Sequence, residues 1–157
     1  MRMWDASLYV DTTLRGPRRQ AGAYLYLITI ETKKGTADRG NVVSFEEMIT
    51  ENEATLTAMD EALGKLKEPV RLTIWLESAG VGGALAQGWP EKWEKEDWKN
   101  SKGEPVANAL KWQSVLSKMR LHEVLAVHVK EHNEYSEWIK RKLQSCTGAT
   151  KKGAENV

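Results

Sequence analysis

The sequence predicts a mixed α/β fold, in which a five-stranded sheet (three antiparallel strands, then two parallel ones) is flanked by helices on both faces. Three short runs of β-branched and aromatic residues, separated by turns, precede residue 46 and are typical of an antiparallel meander. Two later apolar runs each follow a segment with helical periodicity, so we expect them to join the sheet in parallel. At 157 residues, the chain is long enough for one domain with a substantial core.

The meander begins with a strand over residues 7–11, SLYVD, which ends on the acid Asp11. A turn over 15–19, RGPRR, carries three positive charges. It leads into the strongest strand, AYLYLITIET at 23–32. The third strand is NVVSF at 41–45. Apolar runs and turn residues alternate here as they do in consecutive antiparallel strands.

The periodicity changes to that of a helix over about residues 50–66. Thr50 and Glu53 have the spacing of a capping box at its start, and Pro69 ends the segment. Apolar residues recur at intervals of three and four and define the inner side of this helix, which consists of Leu56, Met59, Leu63 and Leu66.

The second half of the chain alternates helices with buried strands. Residues 70–76, VRLTIWL, form a near-continuous apolar strand that ends on Glu77, and a loose helical turn follows. The remaining elements are a tryptophan-rich element at 89–100, a helix at 106–119, a strand at 123–129 and a helix at 133–143. We expect the inner side of the first of these helices to consist of Leu110, Trp112, Val115, Leu116 and Met119. The domain is predicted to span 1–144, and the small, polar residues 145–157 are predicted to form a disordered tail.

Three of the seven tryptophans, Trp89, Trp93 and Trp98, fall within ten residues. Their spacing places them roughly on one side of a helical segment. Because a large indole ring stabilises a protein mainly when it is buried, one interpretation is a small satellite core. The other interpretation is a surface that offers flat rings and a nearby lysine to a polyanion.

The composition is that of an ordinary soluble protein, with 41% hydrophobic residues, 29% charged residues and a net charge of +1. A nucleic-acid partner would have to be held by local patches, because the overall charge does not attract a polyanion. The single cysteine, Cys146, excludes an internal disulfide framework and a cysteine-based zinc site. No apolar run has the length of a signal peptide or a membrane span, so we expect a cytoplasmic protein.

Asp11 and Glu77 each end an apolar strand, and their carboxylates meet at one edge of the sheet if those strands are parallel neighbours. Two converging carboxylates repel each other unless one is protonated or a hard cation bridges them. Since Mg²⁺ needs one or two direct carboxylates and water, the pair is a candidate metal site; hydrated or ion-paired carboxylates are the alternative. The final helix offers Glu134 and Glu137, one turn apart and close behind the last strand. Glu51 and Glu53 lie at the start of the helix at 50–66, where acids also suit the helix dipole.

Two histidines lie near the last of these acids in the sequence. His132 lies in a short loop before the final helix. It is a candidate general base or proton shuttle, and a capping or solvent-facing role is the alternative. His128 lies inside a strand, where we expect a packed or edge position.

The order of elements and several short motifs together resemble the ribonuclease H family. That family has a TDGS motif on its first strand, a TNN-x-x-E start to its first helix and a TDS motif ending its fourth strand. A tryptophan-rich basic protrusion ending in GWK, then PV-x-N, LWQ and VKGH motifs, follow. The corresponding residues here are Val10–Thr13, Thr50–Asn52, Leu76–Ser78, Trp89, Trp93, Trp98–Lys99, Pro105–Asn108, Lys111–Gln113 and Val129–His132. The resemblance covers about residues 6–143.

The resemblance implies a ribonuclease H-like fold and a nuclease that cuts the RNA strand of RNA–DNA hybrids. In this family, four carboxylates hold two Mg²⁺ or Mn²⁺ ions. Asp11 matches the first metal ligand, and Glu77 and Glu137 replace two aspartates. The histidine-bearing loop is shortened by about four residues, so His132 matches either a conserved glycine–histidine pair or the mobile family histidine that aids product release. It is the catalytic candidate of this loop.

The fourth ligand position departs from the family, because Thr55 stands where the glutamate is expected. Using Glu53 instead requires a two-residue shift that would turn the apolar side of the helix away from the core. Glu51 lies one turn before Thr55 on the same face, and is therefore the better substitute by geometry.

The resemblance also implies contacts with nucleic acid by Thr50, Asn52, Trp93, Lys95, Trp98 and Lys99. The protrusion has lost its basic character, since residues 89–105 carry four lysines against five acids. Phosphate affinity scales with the number of cations displaced, so this element should bind a hybrid weakly unless arginines elsewhere take part. The available arginines are Arg15, Arg18, Arg19 and Arg39.

Two interpretations of function follow from these departures. The first is an active nuclease with an altered carboxylate set. The second is a catalytically impaired ribonuclease H-like module that binds nucleic acid or protein. A monomer is the default expectation for either.

Overall fold

The computed structural model of the chain describes the backbone of residues 3–156 and the side chains of residues 3–146. Its strands are β1 Trp4–Thr12, β2 Gln20–Thr32, β3 Gly35–Ile49, β4 Val70–Leu76 and β5 Glu123–Val129. Its helices are α1 Glu51–Lys65, α2 Ala79–Gln87, α3 Trp89–Lys95, α4 Ala109–Met119 and α5 Ser136–Asn156. The order of strands and helices along the chain is the predicted one.

The sheet is mixed, as predicted, with the strand order β3-β2-β1-β4-β5. The first three strands pair antiparallel, whereas β4 pairs parallel with both β1 and β5. Because β1 and β4 run in the same direction, their carboxyl ends, at Thr12 and Leu76, lie at the same edge of the sheet. This edge is where the strand-ending acids are brought together.

Helices pack on both faces of the sheet, as predicted. On one face, α1 and α4 bury Leu56, Met59 and Val115 completely. On the other face, α5 packs Ile139 and Leu143 against β2. Burying one aliphatic side chain of this size stabilises a fold by roughly 1.5–3 kcal/mol. The buried side of α1 therefore fixes the rotation of that helix about its axis.

Helix α4 begins later than the sequence predicts. Asn108 has a φ of 60°, in the left-handed region, so the helix begins at Ala109 instead of residue 106. Leu110, which was expected on the inner side, is 81% exposed. The other four residues of that predicted inner side are buried: Trp112, Val115, Leu116 and Met119.

The C-terminal helix α5 extends to Asn156. The tail predicted over 145–157 lies, from residue 147 onward, outside the residues whose side chains are described, and it stays a prediction. Within the part of the chain that the structure describes, no helix is both long and apolar enough to cross a membrane.

Candidate active site

Asp11 and Glu77 lie next to each other at the carboxyl edge of the sheet. Val10 pairs with Leu76 in the parallel β1–β4 ladder, and each acid is the next residue along the chain. Both acids line one cleft of about 350 Å³, together with residues of α5 and of the loop before it. Four of the residues predicted for the site line this cleft: Asp11, Glu77, His132 and Glu137.

Asp11 is largely buried and already hydrogen-bonded. Its Oδ1 atom accepts hydrogen bonds from the backbone N–H of Thr12 at 2.7 Å and from Arg15 Nη2 at 3.2 Å. Burial raises the pKa of Asp11, while the Arg15 charge and these hydrogen bonds lower it. The nearby Glu51 carboxylate raises it again, and the net direction is upward. The ionised form of Asp11 therefore destabilises the fold, and an additional cation would relieve this.

The pKa of Glu77 is also raised by its surroundings. Burial raises the pKa of Glu77, and the charge of Asp11 raises it further, while Arg15 and Lys130 lower it. The Lys130 N–H donates to the Leu76 carbonyl at 2.8 Å, which ties the loop after β5 to the end of the strand that precedes Glu77. Among the described residues, none donates a hydrogen bond to the Glu77 carboxylate, so both of its oxygens can accept a ligand.

Glu51, at the start of α1, reaches the same cluster of charges. Its Oε1 atom accepts a hydrogen bond from the Gly16 N–H at 2.9 Å, and its Oε2 atom lies 3.9 Å from Arg15 Nη1. Asp11 and Glu51 therefore share Arg15 as a partner, and the charge of Glu51 contributes to the raised pKa of Asp11.

The other candidates on α1 point elsewhere. Thr55 is 2% exposed, and its hydroxyl donates to the Glu51 carbonyl at 2.8 Å, a common arrangement for a helical threonine. Glu53 pairs with Arg19 at 3.8 Å. The rotation of α1 that buries its apolar side therefore directs Glu51 towards Arg15, which lines the cleft, and Glu53 towards Arg19.

Glu137 and His132 line the cleft from α5 and from the loop that precedes it. Both are exposed, and neither forms a hydrogen bond or ion pair with another described residue. His128 is instead packed on edge strand β5. Its ring stacks on Trp75 with centroids 4.0 Å apart, and its Nδ1 atom lies 2.6 Å from Glu131 Oε2. His132 is therefore the histidine that meets solvent at the cleft.

The donor groups in this cleft fit a hard divalent cation. All four predicted ligands are carboxylates, and carboxylate oxygens are the protein ligands that Mg²⁺ and Mn²⁺ prefer. The raised pKa values of Asp11 and Glu77 reflect burial and crowding of like charges. Among the described residues, no three acidic, histidine or cysteine side chains already converge in the manner of a metal centre. Binding of an ion would therefore have to draw the carboxylates closer together.

Arg15 belongs to this site, although the sequence placed it in a basic turn, as one of four arginines available to a hybrid. Its Nη1 group donates to the backbone carbonyls of Thr12 and Leu14 at 2.8 and 2.7 Å, and its Nη2 group donates to Asp11. Gly16 has a φ of 78° and turns the chain directly after it. The sequence feature that could have indicated this contact is the position of Arg15 four residues after Asp11. Whether the Arg15 side chain returns to Asp11 depends on the conformation of the turn, which the spacing does not specify.

The two predicted nucleic-acid contacts at the start of α1 also stabilise the fold. The Thr50 hydroxyl accepts a hydrogen bond from the Glu53 N–H at 3.1 Å and caps the helix. The Asn52 Oδ1 atom accepts a hydrogen bond from the Ser78 hydroxyl at 2.8 Å, which links α1 to the start of α2. Asn52 is otherwise exposed, so its amide N–H groups can also reach a ligand.

The tryptophan protrusion, residues 89–105, contains a small aromatic cluster. Trp93 lies at its centre, with ring centroids 5.6–6.4 Å from those of Trp89, Trp98 and Trp112. Trp93 and Trp98 are half-buried and pack against the main core, whereas Trp89 is 48% exposed. The satellite-core interpretation therefore describes Trp93 and Trp98, and Trp89 presents the most open indole ring of the three.

The cations predicted on the protrusion remain at its surface. Helix α3 ends at Lys95, earlier than predicted, because Asp97 and Trp98 both have a left-handed φ of 59°. Lys95 and Lys99 are both exposed. Lys99 forms an isolated antiparallel bridge with Pro105, which closes the protrusion.

Known proteins with similar sequences are ribonucleases H. The RNase H family profile matches residues 5–140. Ribonuclease H of a Thermoanaerobacter species is 34% identical over 131 residues, which cover 82% of this chain and 81% of that protein. Ribonuclease H of Acetivibrio thermocellus is 33% identical over 136 residues, with coverage of 85% and 88%. That of Caldicellulosiruptor saccharolyticus is 40% identical over 89 residues, but the match spans only 61% of that protein.

Solved structures share the fold. The crystal structure of LC9-RNase H1, a type 1 RNase H with the type 2 active-site motif, superposes with a TM-score of 0.74 at 20% identity. That match covers 95% of this chain and 74% of the other. The solution structure of the PFV RNase H domain gives a TM-score of 0.59 at 18% identity, with coverage of 94% and 92%. The family profile, the sequence relatives and the mixed sheet agree: the chain belongs to the ribonuclease H family.

Proposed function

We propose that this protein is a metal-dependent ribonuclease H, which hydrolyses internal phosphodiester bonds in the RNA strand of RNA–DNA hybrids with Mg²⁺ or Mn²⁺. The observation that carries the proposal is the cleft in which Asp11 and Glu77 lie side by side, with Glu137 on its wall. The ribonuclease H name of relatives that are 34% and 33% identical over most of their length supports the substrate class.

Carboxylates that line the cleft would hold the divalent metal: Asp11, Glu77 and Glu137. Glu51 is the fourth predicted ligand, and its carboxylate lies beside Arg15. When bound, such metal ions activate a water and stabilise the leaving oxygen of a phosphodiester. The raised pKa values of Asp11 and Glu77 mean that the protein brings negative charge together here at a cost, which a cation would offset.

Other side chains of the cleft suit the substrate and its protons. Arg15 and Lys130 place positive charge near the carboxylates, where phosphate oxygens of a bound strand can be held. His132 is exposed at the rim, so its imidazole nitrogens can carry a proton between the cleft and the solvent. The Asn52 amide is suited to a 2′-hydroxyl, the group that distinguishes RNA from DNA.

Two elements offer cations to the phosphates of a hybrid. On the β1–β2 loop, Arg18 is exposed and forms no hydrogen bond or ion pair with another described residue. On the protrusion, Lys95 and Lys99 are exposed among more numerous acids. Because affinity for a polyanion grows with the net number of cations that reach it, the β1–β2 loop should contribute more than the protrusion.

The test is cleavage of an RNA–DNA hybrid whose RNA strand carries a 5′ label, with Mg²⁺ and with Mn²⁺. We expect internal cuts in the RNA of the hybrid, no cuts in the DNA strand, and none in an RNA duplex of the same sequence. Asp11→Asn, purified in the same way, is the matched control, because it keeps the shape of the side chain and removes its charge. Equal cutting by both proteins would show a contaminating nuclease and end the proposal.

A second candidate function is a ribonuclease H-like module that binds nucleic acid or protein without cutting it. The observation in its favour is the buried Thr55, which occupies the position of a family glutamate and offers no carboxylate. Titration calorimetry with Mn²⁺ discriminates the two functions, because micromolar binding supports the nuclease and no binding supports the module. A monomeric state and a cytoplasmic location stay predictions in either case.

A further inference from the structure

The Arg15 guanidinium is anchored by the backbone of its own loop. The side chain is 56% exposed, yet three of its five N–H groups donate hydrogen bonds. Two of these go to the carbonyls of Thr12 and Leu14 at 2.8 and 2.7 Å, and involve no acid. The guanidinium is therefore held beside Asp11 whether or not the acids of the cleft are charged.

This guanidinium reaches two of the predicted metal ligands. Its Nη2 atom lies 3.2 Å from Asp11 Oδ1, and its Nη1 atom lies 3.9 Å from Glu51 Oε2. The Gly16 N–H occupies the other Glu51 oxygen, Oε1, at 2.9 Å. Both Glu51 oxygens thus face donors of the β1–β2 loop. Asp11 Oδ2, by contrast, accepts no hydrogen bond from the residues that the structure describes.

We propose that Arg15 is a built-in cation of this cleft, which takes the place of one divalent ion and leaves a site for a single ion. In this arrangement Glu51 holds the arginine and is not a metal ligand. The single ion belongs to Asp11, Glu77 and Glu137. The proposal rests on the proposed nuclease function and specifies the metal content of its site.

Electrostatics favours an arrangement in which Glu51 pairs with Arg15 and the other three acids bind the ion. The positive charge of the Arg15 guanidinium balances Asp11 and Glu51 without loss of any protein contact. A divalent ion in the same corner would meet a positive charge at contact distance, and the two would repel. Two N–H groups of Arg15 remain without a partner among the described residues, so the arginine can also donate to a phosphate oxygen as negative charge develops there.

The experiment counts metal ions in the full-length protein without nucleic acid. Titration calorimetry with Mn²⁺ gives the number of ions per chain, and the electron paramagnetic resonance spectrum of bound Mn²⁺ shows whether two ions are coupled. We expect the wild type to bind one ion and Arg15→Gln to bind two, with a coupled signal. Arg18→Gln is the matched control, because it removes the same charge from the same loop without touching an acid, and it should bind one ion.

A second variant tests the role of Glu51 independently, in case Arg15→Gln does not fold. Glu51→Gln should still bind one ion, and loss of that ion would identify Glu51 as a ligand and overturn the proposal. Two ions in the wild type, or one ion in a folded Arg15→Gln, would also overturn it. Two ions together with hybrid cleavage would leave the nuclease function standing. No ion in the wild type would end both proposals.

Discussion

The carboxylate of Asp11 raises the pKa of Glu77, its neighbour across the parallel β1–β4 ladder. Adjacent strands in a sheet lie about 4.8 Å apart, so the carboxylates of two acids that follow neighbouring parallel strands lie close enough to repel each other. The buried contacts of α1 and α4 stabilise one face of the sheet, whereas Asp11 and Glu77 repel each other at its carboxyl edge. The metal-free site is thus a local source of instability in an otherwise well-packed domain.

Asp11→Asn should therefore stabilise the metal-free protein at neutral pH. Burial and nearby carboxylate charge outweigh the help from Arg15 in the folded state, and the neutral amide removes the need to keep a charge there. We expect the melting temperature, measured by circular dichroism with a chelator present, to rise by about 2–4 °C. A lower melting temperature for Asp11→Asn would show that the Arg15 ion pair dominates.

The pH dependence of the same measurement has a defined sign. A carboxyl whose pKa is raised by folding contributes stability that is complete below its ordinary pKa of about 4 and is lost as pH rises through the pKa of the folded state. The melting temperature of the metal-free wild type should therefore fall further below that of Asp11→Asn as pH increases above about 4. Added Mg²⁺ should raise the melting temperature of the wild type more than that of the variant.

His122 should give a pH dependence of the opposite sign. Its Nδ1 atom accepts a hydrogen bond from the Val70 N–H at 3.1 Å, and its Nε2 atom is buried with no partner in the described part of the chain. Burial lowers the pKa of His122. Its contribution to stability is therefore complete above the ordinary value, near about 6.5, and is lost as pH falls through the folded value.

Urea unfolding at a series of pH values tests the role of His122. Relative to His122→Asn, the midpoint for the wild type should fall between about pH 7 and pH 5, because protonation of the ring breaks the bond to Val70. In His122→Asn, a side-chain oxygen can replace the acceptor but does not titrate. Identical slopes for the two proteins would assign the acid sensitivity to other groups.

Trp93 and Trp89 should contribute different amounts to the free energy of unfolding. Trp93 is half-buried at the centre of the aromatic cluster, so Trp93→Ala should lower the free energy of unfolding by about 3 kcal/mol. Trp89 is 48% exposed, and Trp89→Ala should change the free energy of unfolding by less than about 0.5 kcal/mol. Denaturant titration measures both values, and equal losses would contradict the packing described for the protrusion.

Arg18 should contribute more to hybrid binding than Lys95. Arg18→Gln removes an exposed cation of the β1–β2 loop that has no ion-pair partner among the described residues, so it should weaken binding and reduce the slope of log affinity against log salt by about 0.7–0.9. Lys95 lies among the acids of the protrusion, and Lys95→Gln should change the slope less. Fluorescence anisotropy with a labelled hybrid, in Ca²⁺ to prevent cutting, measures both. A larger effect of Lys95→Gln would assign the main contact to the protrusion.

Much of the fold could be predicted because its elements differ in hydrophobic period. The apolar side of α1 and the continuous apolar run of β4 are both plain in the sequence. Strand β3 was predicted only over 41–45, yet it spans Gly35–Ile49 and pairs with β2 along most of that length. Most of its residues are exposed, so its sequence carries little alternation of apolar and polar residues. Pairing with the long β2, which only the folded chain reveals, extends the strand.

The acids of the site could be predicted because they end strands, and the parallel order of those strands follows from the helices between them. The position of Arg15 could not, since it depends on two backbone carbonyls and on the left-handed turn at Gly16. The burial of Trp93 could not be decided either, because its partner Trp112 lies on another helix. Such contacts are set by tertiary structure and leave no local periodicity.

The hydrogen bonds that fix Arg15 all end on residues 11–14 of the same short segment. An arginine that is held by its own loop requires no compensating substitution in distant parts of the chain. Grafting the hexapeptide Asp11–Gly16 onto a relative that has a glutamate at the position of Thr55 would transfer the Arg15 cation together with the hydrogen bonds that hold it. The proposed single-ion site would then trace to one loop, and not to a change in the helix that carries Glu137.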